Sequence, residues 1–242
     1  MRYAIFSDVH SNLEAFKAVL DCLAGADISR YFFVGDIVGY GADPSACIRL
    51  LTSLGAVMVC GNHDRAASGD LTTDYFNEAA AAAVAWTQAR LSSAERIFLR
   101  GLPFVQQEGD FCLVHGTLDH PEAFDYMTDR HCAAKTFYAL SKEICFVGHL
   151  HQPGVFAETS DGVVDIPASG KRKLEKQKRY IVNVGSVGQP RDGDPRACFC
   201  VFDDADCTLE FRRLDYDVRR AADKIAAAGL PQTLASRLYV GR

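Results

Sequence analysis

The chain has 242 residues, 48% of them hydrophobic, with nine cysteines and a formal net charge of −5. That size and composition suffice for one large core and demand no second domain, so a single domain over residues 1–242 is expected. The acidic balance argues against broad nucleic-acid binding, which needs an extended basic face, and no apolar run has membrane-spanning length.

The first run, Tyr3-Ala4-Ile5-Phe6, is short and evenly apolar, the pattern of a strand buried on both faces. No basic segment and apolar stretch precede it, so no secretion signal is read and a cytoplasmic protein is expected. Asn12 to Ala24 follows with Leu13, Phe16, Val19, Leu20 and Leu23 at mixed helical spacing, then a second run, Tyr31-Phe32-Phe33-Val34. A helix is predicted from about Pro44, where proline suits the first turn, and Ala56 to Cys60 forms a third run. This βαβαβ order makes parallel pairing the default.

Asp70 to Gly101 reads as a helical insertion, with an alanine-rich stretch after Asn77-Glu78 and a capping box at Ser92-Ser93-Ala94-Glu95. Ordinary packing has it cover one flank of the sheet; the alternative is a wall for a site. Two further apolar runs, Phe111 to Val114 and Ile144 to Val147, come next. After His151 the text is β-rich, with strand candidates at Gly154–Glu158, Gly162–Ile166, Tyr180–Val184, Ala197–Phe202 and Thr208–Leu214, and a last helix from Val218 to Ala228. Two sheets packed face to face, with helices outside, fit this order. The scattered cysteines, none in a C-x-x-C pair, read as small buried hydrophobes of a reducing compartment.

Each of the five apolar runs is followed at once by a polar motif: Asp8-Val9-His10, Gly35-Asp36, Gly61-Asn62-His63-Asp64, His115-Gly116 and Gly148-His149-Leu150-His151. Polar residues that repeatedly follow buried strands point to one shared site at the carboxyl edge of a sheet. In extended backbone, residues two apart face the same way, so Asp8 with His10 and His149 with His151 can chelate. Together with Asp36, Asn62 and His115 they supply carboxylate, imidazole and amide donors and no thiolate, a set suited to Mn, Fe or Zn. Seven donors exceed one tetrahedral ion, so two ions sharing a carboxylate are the economical reading.

These motifs, in this order, resemble the signature of calcineurin-like metallophosphoesterases over about residues 1–191. The Gly39-Tyr40-Gly41 and Asn183-to-Arg191 text looks most like the small prokaryotic phosphodiesterase and asymmetric diadenosine tetraphosphate hydrolase branch. The resemblance implies an α/β (α+β) fold, a four-layer αββα sandwich of two mixed sheets flanked by helices. It also implies a dinuclear centre, with Asp8, His10, Asp36 and His151 on one ion and Asp36, Asn62, His115 and His149 on the other. The reaction implied is metal-assisted hydrolysis of a phosphodiester or nucleotide phosphoanhydride, on a small phosphorylated substrate, nucleotide by preference. His63, left over from the ligand set, is then the candidate to protonate the leaving oxygen or stabilise its charge. Asp64 either orients His63 or serves the turn.

Asn62 and Arg191 are the candidate phosphate contacts, Arg191 from the glycine-rich segment Asn183 to Asp192. The basic run from Lys171 to Arg179 reads either as a solvated hairpin tip or as a grip on distal phosphates. After Asp36 the chain lacks the arginine-containing extension of phosphoprotein phosphatases, so a protein phosphatase is not expected. Two rivals remain at this point. An amidohydrolase barrel normally opens with His-x-His, which here comes late, and an interaction scaffold of the same fold would be expected to have lost ligands or His63.

Overall fold

The computed structural model describes all 242 residues, Met1–Arg242. Twelve strands form two mixed six-stranded sheets. The first contains β1 (Arg2–Phe6), β2 (Arg30–Phe33), β3 (Val57–Met58), β9 (Lys171–Lys173), β11 (Ala197–Asp203) and β12 (Thr208–Leu214), in the order β3-β2-β1-β11-β12-β9. The second contains β4 (Val105–Glu108), β5 (Phe111–Val114), β6 (Ile144–Val147), β7 (Gly154–Thr159), β8 (Gly162–Ile166) and β10 (Tyr180–Asn183), in the order β4-β5-β6-β10-β7-β8.

Alternation along β1 shows how the layers arise. Tyr3 and Ile5 face the second sheet, where they meet Phe111, Leu113, Phe146 and Val182, and Ala4 and Phe6 face helices. An aromatic chain, Tyr3–Phe32–Phe111–Phe146, crosses the sheet interface with ring centroids 5.4, 5.0 and 5.4 Å apart. On the outer face of the first sheet lie α1 (Leu13–Ala24) and α2 (Pro44–Ser53), which bury Phe16, Val19, Leu23, Ile48 and Leu51. The outer face of the second sheet is covered by α6 (Arg130–Ala139), through Ala133 and Phe137. The result is the expected αββα sandwich. All nine cysteines are unpaired, and seven of them are buried.

The strands β1, β2 and β3 run parallel, as do β5, β6 and β10, so six strand ends from two sheets open on one edge. The Ala56–Cys60 run yields only the two-residue β3, because Asn62 begins a helix, α3 (Asn62–Ser68), almost immediately. The insertion forms α4 (Glu78–Gln88) and α5 (Ser93–Arg100), with the capping box on Ser92 and Glu95 formed in both directions. Both helices pack on α3, and Phe76, just before α4, reaches the His63 ring with centroids 4.9 Å apart. The insertion therefore walls the site as well as covering a flank. Chain order could not show this, because the contact depends on where α3 points.

The last helices are α7 (Val218–Ala227) and α8 (Gln232–Ser236), followed by a 3-10 turn at Arg237–Tyr239. Ala221, Ile225, Leu234 and Leu238 pack with Tyr40, Ala80 and Ala83, so the C-terminal segment closes against the insertion. No helix is long and apolar enough to cross a membrane.

The basic run divides in two. Lys171 to Lys173 form the edge strand β9, paired with β12; Lys173 lies level with Thr208, Asp203 and Arg2, the start of β1 and the end opposite the polar motifs. A grip on substrate phosphates is therefore overturned by register. Arg179, at the other end of the run, binds both Glu158 carboxylate oxygens at 2.6–2.7 Å and donates to the Phe137 and Leu140 carbonyls at 2.8 Å, closing the end of α6. Arg179→Ala should lower unfolding free energy in urea by about 1–3 kcal/mol, since hydrogen bonds to a charged group are lost and the Leu140 carbonyl is left unpaired, while Phe137 O keeps the Leu140 N–H. Lys171→Gln with Lys173→Gln should stay within about 0.5 kcal/mol, as exposed substitutions do. Equal effects of the two changes would refute this division of the run.

Candidate metal centre

Every polar motif read from the sequence lies at the shared strand edge. Asp8 and His10 follow β1, Asp36 follows β2, Asn62 follows β3, His115 follows β5, and His149 and His151 follow β6. The loops are knitted by main-chain bonds: Asp8 N–H to Gly35, His10 N–H to Asp36, Gly148 N–H to His115 and Gly188 N–H to Asp8. Asp8, His10, Asp36, His115, His149 and His151 are each at most 5% exposed.

Their hydrogen bonding leaves one kind of atom pointing inward. His10 Nδ1 faces Val38 O at 3.0 Å, His151 Nδ1 faces Gln189 O at 2.6 Å and His115 Nδ1 faces Val34 O at 2.7 Å. A carbonyl only accepts, so each Nδ1 carries the hydrogen and each neutral ring offers a lone pair at Nε2. The Nε2 atoms of His10 and His151 nevertheless lie 3.0 Å apart, and His115 Nε2 lies 3.1 Å from His149 Nδ1. Asp8 Oδ1 and Asp36 Oδ2 are buried without a hydrogen-bond donor, as is Asn62 Oδ1. Asp8 Oδ1 is 3.1 Å from His151 Nε2, and Asp36 Oδ2 is 3.2 Å from His115 Nε2 and 3.6 Å from His10 Nε2. Lone pairs at such separations repel, and each unsatisfied buried acceptor costs about 1–3 kcal/mol. A cation among them removes both penalties.

Two groupings follow from the distances: Asp8, His10 and His151, and Asp36, His115 and His149, with Asp36 also within ligand distance of His10. The donors thus fit the two-ion reading, with Asp36 between the groups. His63 also lies within ligand distance of His10 and Asp36, so geometry alone leaves it available to a metal.

The titration of these groups reflects the same crowding. Burial alone would raise the Asp8 carboxyl, but His151, His10 and His115 hold it well below the usual carboxylate range. His115 is pushed up to about 9, because Asp36 and Asp8 outweigh its burial. His151 falls to about 4 through burial and then the charge of Arg191. The Asp8 and Asp36 carboxylates are ionised and attract positive charge, the His149 and His151 imidazoles are neutral and able to ligate, and His115 gives up its second proton to a metal that binds it.

Backbone strain gathers at the same positions. Asp8, His10, Asp36, His149 and His151 all adopt left-handed φ, between 47° and 63°, at a cost of about 1–3 kcal/mol for each such residue. Two glycines explain the close approach: a Cβ on Gly61 would overlap the Asp36 carboxylate, and one on Gly148 would overlap Ser7 Oγ and crowd Asp8 Oδ2.

Asp64 does not orient His63. Its carboxylate accepts from the main-chain N–H of Asp36 (2.9 Å), Ile37 (2.9 Å), Val38 (3.2 Å) and Gly61 (3.1 Å). It clamps the loop carrying Asp36 to the start of α3, so the turn alternative holds. Adjacent residues on a helix diverge, which takes Asp64 down into the loop and His63 out toward the site. The His63 ring lies between Tyr40 and Phe76, with centroids 4.4 and 4.9 Å away, and edge-on to His10 at 4.9 Å.

Arg191 is at the site. Its main-chain N–H donates to His151 O at 3.2 Å, and its guanidinium reaches the Tyr40 hydroxyl at 3.1 Å and Gln189 Oε1 at 3.0 Å. Sequence reasoning missed four neighbours: Tyr40, Phe76, Arg237 and Tyr126, whose ring stacks on His149 at 3.9 Å and 14°. Tyr40 lay in the quoted Gly-Tyr-Gly text. The other three lie outside every motif and come close only through tertiary packing.

Comparison with known proteins agrees with this geometry. A family model for the calcineurin-like phosphoesterase superfamily domain matches residues 1–206. The uncharacterized protein MJ0912 of Methanocaldococcus jannaschii is 38% identical over 243 residues, covering 99% of this chain and 98% of that protein. A metallophosphoesterase from Sphaerobacter thermophilus superposes with a TM-score of 0.88 at 37% identity, covering 100% and 99% of the two chains. The hypothetical protein PH1004 from Pyrococcus horikoshii OT3 shares the fold, with a TM-score of 0.81 at 20% identity over 100% and 98%.

Adding Mn²⁺ to metal-free protein should raise its melting temperature, by an amount equivalent to about 2.7 kcal/mol at a hundredfold excess over Kd. Asp36→Asn, which touches both donor groups, should forfeit most of that shift and lower the bound-metal content. An unmoved transition in the wild type would count against the site.

Proposed function

Because the chain belongs to the calcineurin-like phosphoesterase superfamily, we propose that it is a dinuclear metal-dependent phosphoesterase acting on phosphodiesters or nucleotide phosphoanhydrides, with dinucleoside polyphosphates as the narrower choice. The observation that carries the reading is that the donor-free Asp8 Oδ1 and Asp36 Oδ2 are buried beside the imidazole nitrogens of two groupings, Asp8–His10–His151 and Asp36–His115–His149, with Asp36 also within ligand distance of His10. The narrower choice is supported by the Gly39-Tyr40-Gly41 and Asn183-to-Arg191 text.

Asp8, His10, Asp36 and His151 would hold one metal, and Asp36, Asn62, His115 and His149 the other. Bound metals supply Lewis-acid polarisation of the phosphoryl group and a nucleophilic water at neutral pH. Mn, Fe and Zn all suit this donor set. The chain's own residues do the rest. Asn62 and Arg191 flank the centre and orient phosphoryl oxygens, Arg191 through a guanidinium fork matched to phosphate.

His63 is held by ring contacts on two sides, and its Nδ1 is buried against Gly39. Nε2 is then the nitrogen a leaving oxygen can reach. Burial keeps the free imidazole neutral against the pull of Asp36, so the resting ring presents an N–H donor, and an approaching phosphate anion raises its proton affinity. It then stabilises or protonates the leaving oxygen.

His63→Ala should cut kcat by about 10²–10⁴, the usual range for a general acid, with bound metal at the wild-type level. Loss of metal would instead make His63 a ligand, which its distances allow. Mn²⁺-loaded protein should hydrolyse bis-p-nitrophenyl phosphate or a dinucleoside polyphosphate. Turnover of neither, nor of any phosphomonoester, would favour the non-catalytic scaffold of the same fold.

A further inference from the structure

The segment after the last helix brings a second arginine to the site. The 3-10 turn at Arg237–Tyr239 is anchored by Leu238, which packs in the same cluster as Tyr40. Its Arg237 Nη1 lies 3.4 Å from Gln189 Oε1, the amide oxygen that also accepts from Arg191 Nη2 at 3.0 Å. Two guanidiniums thus converge on one neutral oxygen. Neither forms an ion pair with a side-chain carboxylate, although the chain is acidic overall. Arg237 Nε is tied to the main-chain oxygen of Arg242, while Arg191 Nε is buried with no partner.

The cost of this arrangement falls on Arg237, whereas at Arg191 burial is outweighed by Tyr40, Tyr126 and Asp8, which favour its charge. Burial and then the charge of Arg191 pull Arg237 below its ordinary value. Most of the chain's other arginines with buried or half-buried side chains avoid this by pairing with acids, as Arg30, Arg65, Arg179, Arg212 and Arg213 do. Adjacent half-buried cations with no side-chain acid between them are stabilised when an anion enters there. The place is fixed relative to the metal centre: Arg191 N–H bonds the His151 carbonyl, and the Tyr40 ring, whose hydroxyl Arg191 holds, lies 4.6 Å from His10 and 4.4 Å from His63.

We propose that Arg191, Arg237 and the Tyr40 hydroxyl form a second anion subsite beside the metal centre, which takes the phosphate adjoining the scissile one in a phosphoanhydride substrate. The inference rests on the phosphoesterase reading for turnover and stands apart from it for binding. Arg237 supplies the fork that distinguishes a diphosphate from a single phosphoryl group, and the Gln189 amide spaces the two guanidiniums.

Two measurements on the Mn²⁺-loaded full chain test it. By calorimetry, the wild type should bind the methylene-bridged analogue of ADP at least about tenfold more tightly than AMP, a difference of about 1.4 kcal/mol. Arg237→Gln should erase most of that ratio, and Arg237→Lys should restore part of it, as a point charge without the fork. In turnover, Arg237→Gln should lower kcat/KM for a dinucleoside polyphosphate relative to bis-p-nitrophenyl phosphate by about tenfold, mainly through KM. Equal binding of the two nucleotides by the wild type, or an equal loss on both ligands together with a lower melting temperature, would overturn the subsite and leave Arg237 a structural tie. Absence of all turnover would overturn the phosphoesterase reading while the binding ratio still judged the subsite.

Discussion

The structure is organised around the burial of lone pairs against lone pairs. Asp8, Asp36 and the inward imidazole nitrogens of His10, His115, His149 and His151 lie at hydrogen-bond distances, with few hydrogens available to share. A core of this kind has no stable arrangement by itself, and it is held open by its surroundings. The Val34, Val38 and Gln189 carbonyls fix three rings by their Nδ1 hydrogens. The Asp64 carboxylate gathers the main-chain donors of the Asp36 loop. Five donors sit in left-handed backbone, a conformation that costs free energy unless the surroundings over-determine it. The sandwich supplies that over-determination: six parallel strand ends from two sheets, packed through an aromatic interface, leave the loops little freedom to relax.

The strong periodic signals in the chain correspond to the structure closely. Runs such as Phe111 to Val114 and Ile144 to Val147 became strands buried at every position, because a strand between a sheet and a helix has no polar face. The helix starts at Asn12, Pro44, Asn77 and Ser92 follow from local capping chemistry, which a few adjacent residues decide. Short or polar elements were less legible. The two-residue β3 depends on α3 beginning at Asn62, and β9 is a run of Lys and Arg that only the neighbouring β12 turns into a strand.

The same divide runs through the site. Donors attached to strand ends could be read, since strand order fixes where they go. Asp64 was legible as a neighbour of His63 and misleading for that reason: on a helix, sequence adjacency places two side chains about 100° apart. Phe76, Tyr126 and Arg237 reach the centre from an insertion, a loop and the chain's last segment, respectively. Nothing local in the sequence marks them, because the position of Phe76 and Arg237 is a property of how α3, α4, α7 and α8 stack, and that of Tyr126 of the loop before α6 folding over His149.

Charge ties these parts together. The centre itself is rich in carboxylates, and a phosphorylated ligand arriving there meets negative side chains unless positive charge is placed nearby. An acidic chain of this size could supply that charge from a broad basic surface only by giving up its overall balance. Here most half-buried arginines are consumed by structural pairs, Arg179 with Glu158 and Arg212 with Glu210 among them. The two that converge on Gln189 are spared such partners and sit beside the His151 loop. The C-terminal helices, which contribute no metal donor, thereby become part of the same electrostatic unit as the strand ends: they hold Tyr40 from behind and carry a cation to the rim. In the proposed subsite, packing of α7 and α8 against the insertion would be coupled to anion recognition, because a substitution in that apolar cluster acts on the placement of Tyr40 and Arg237.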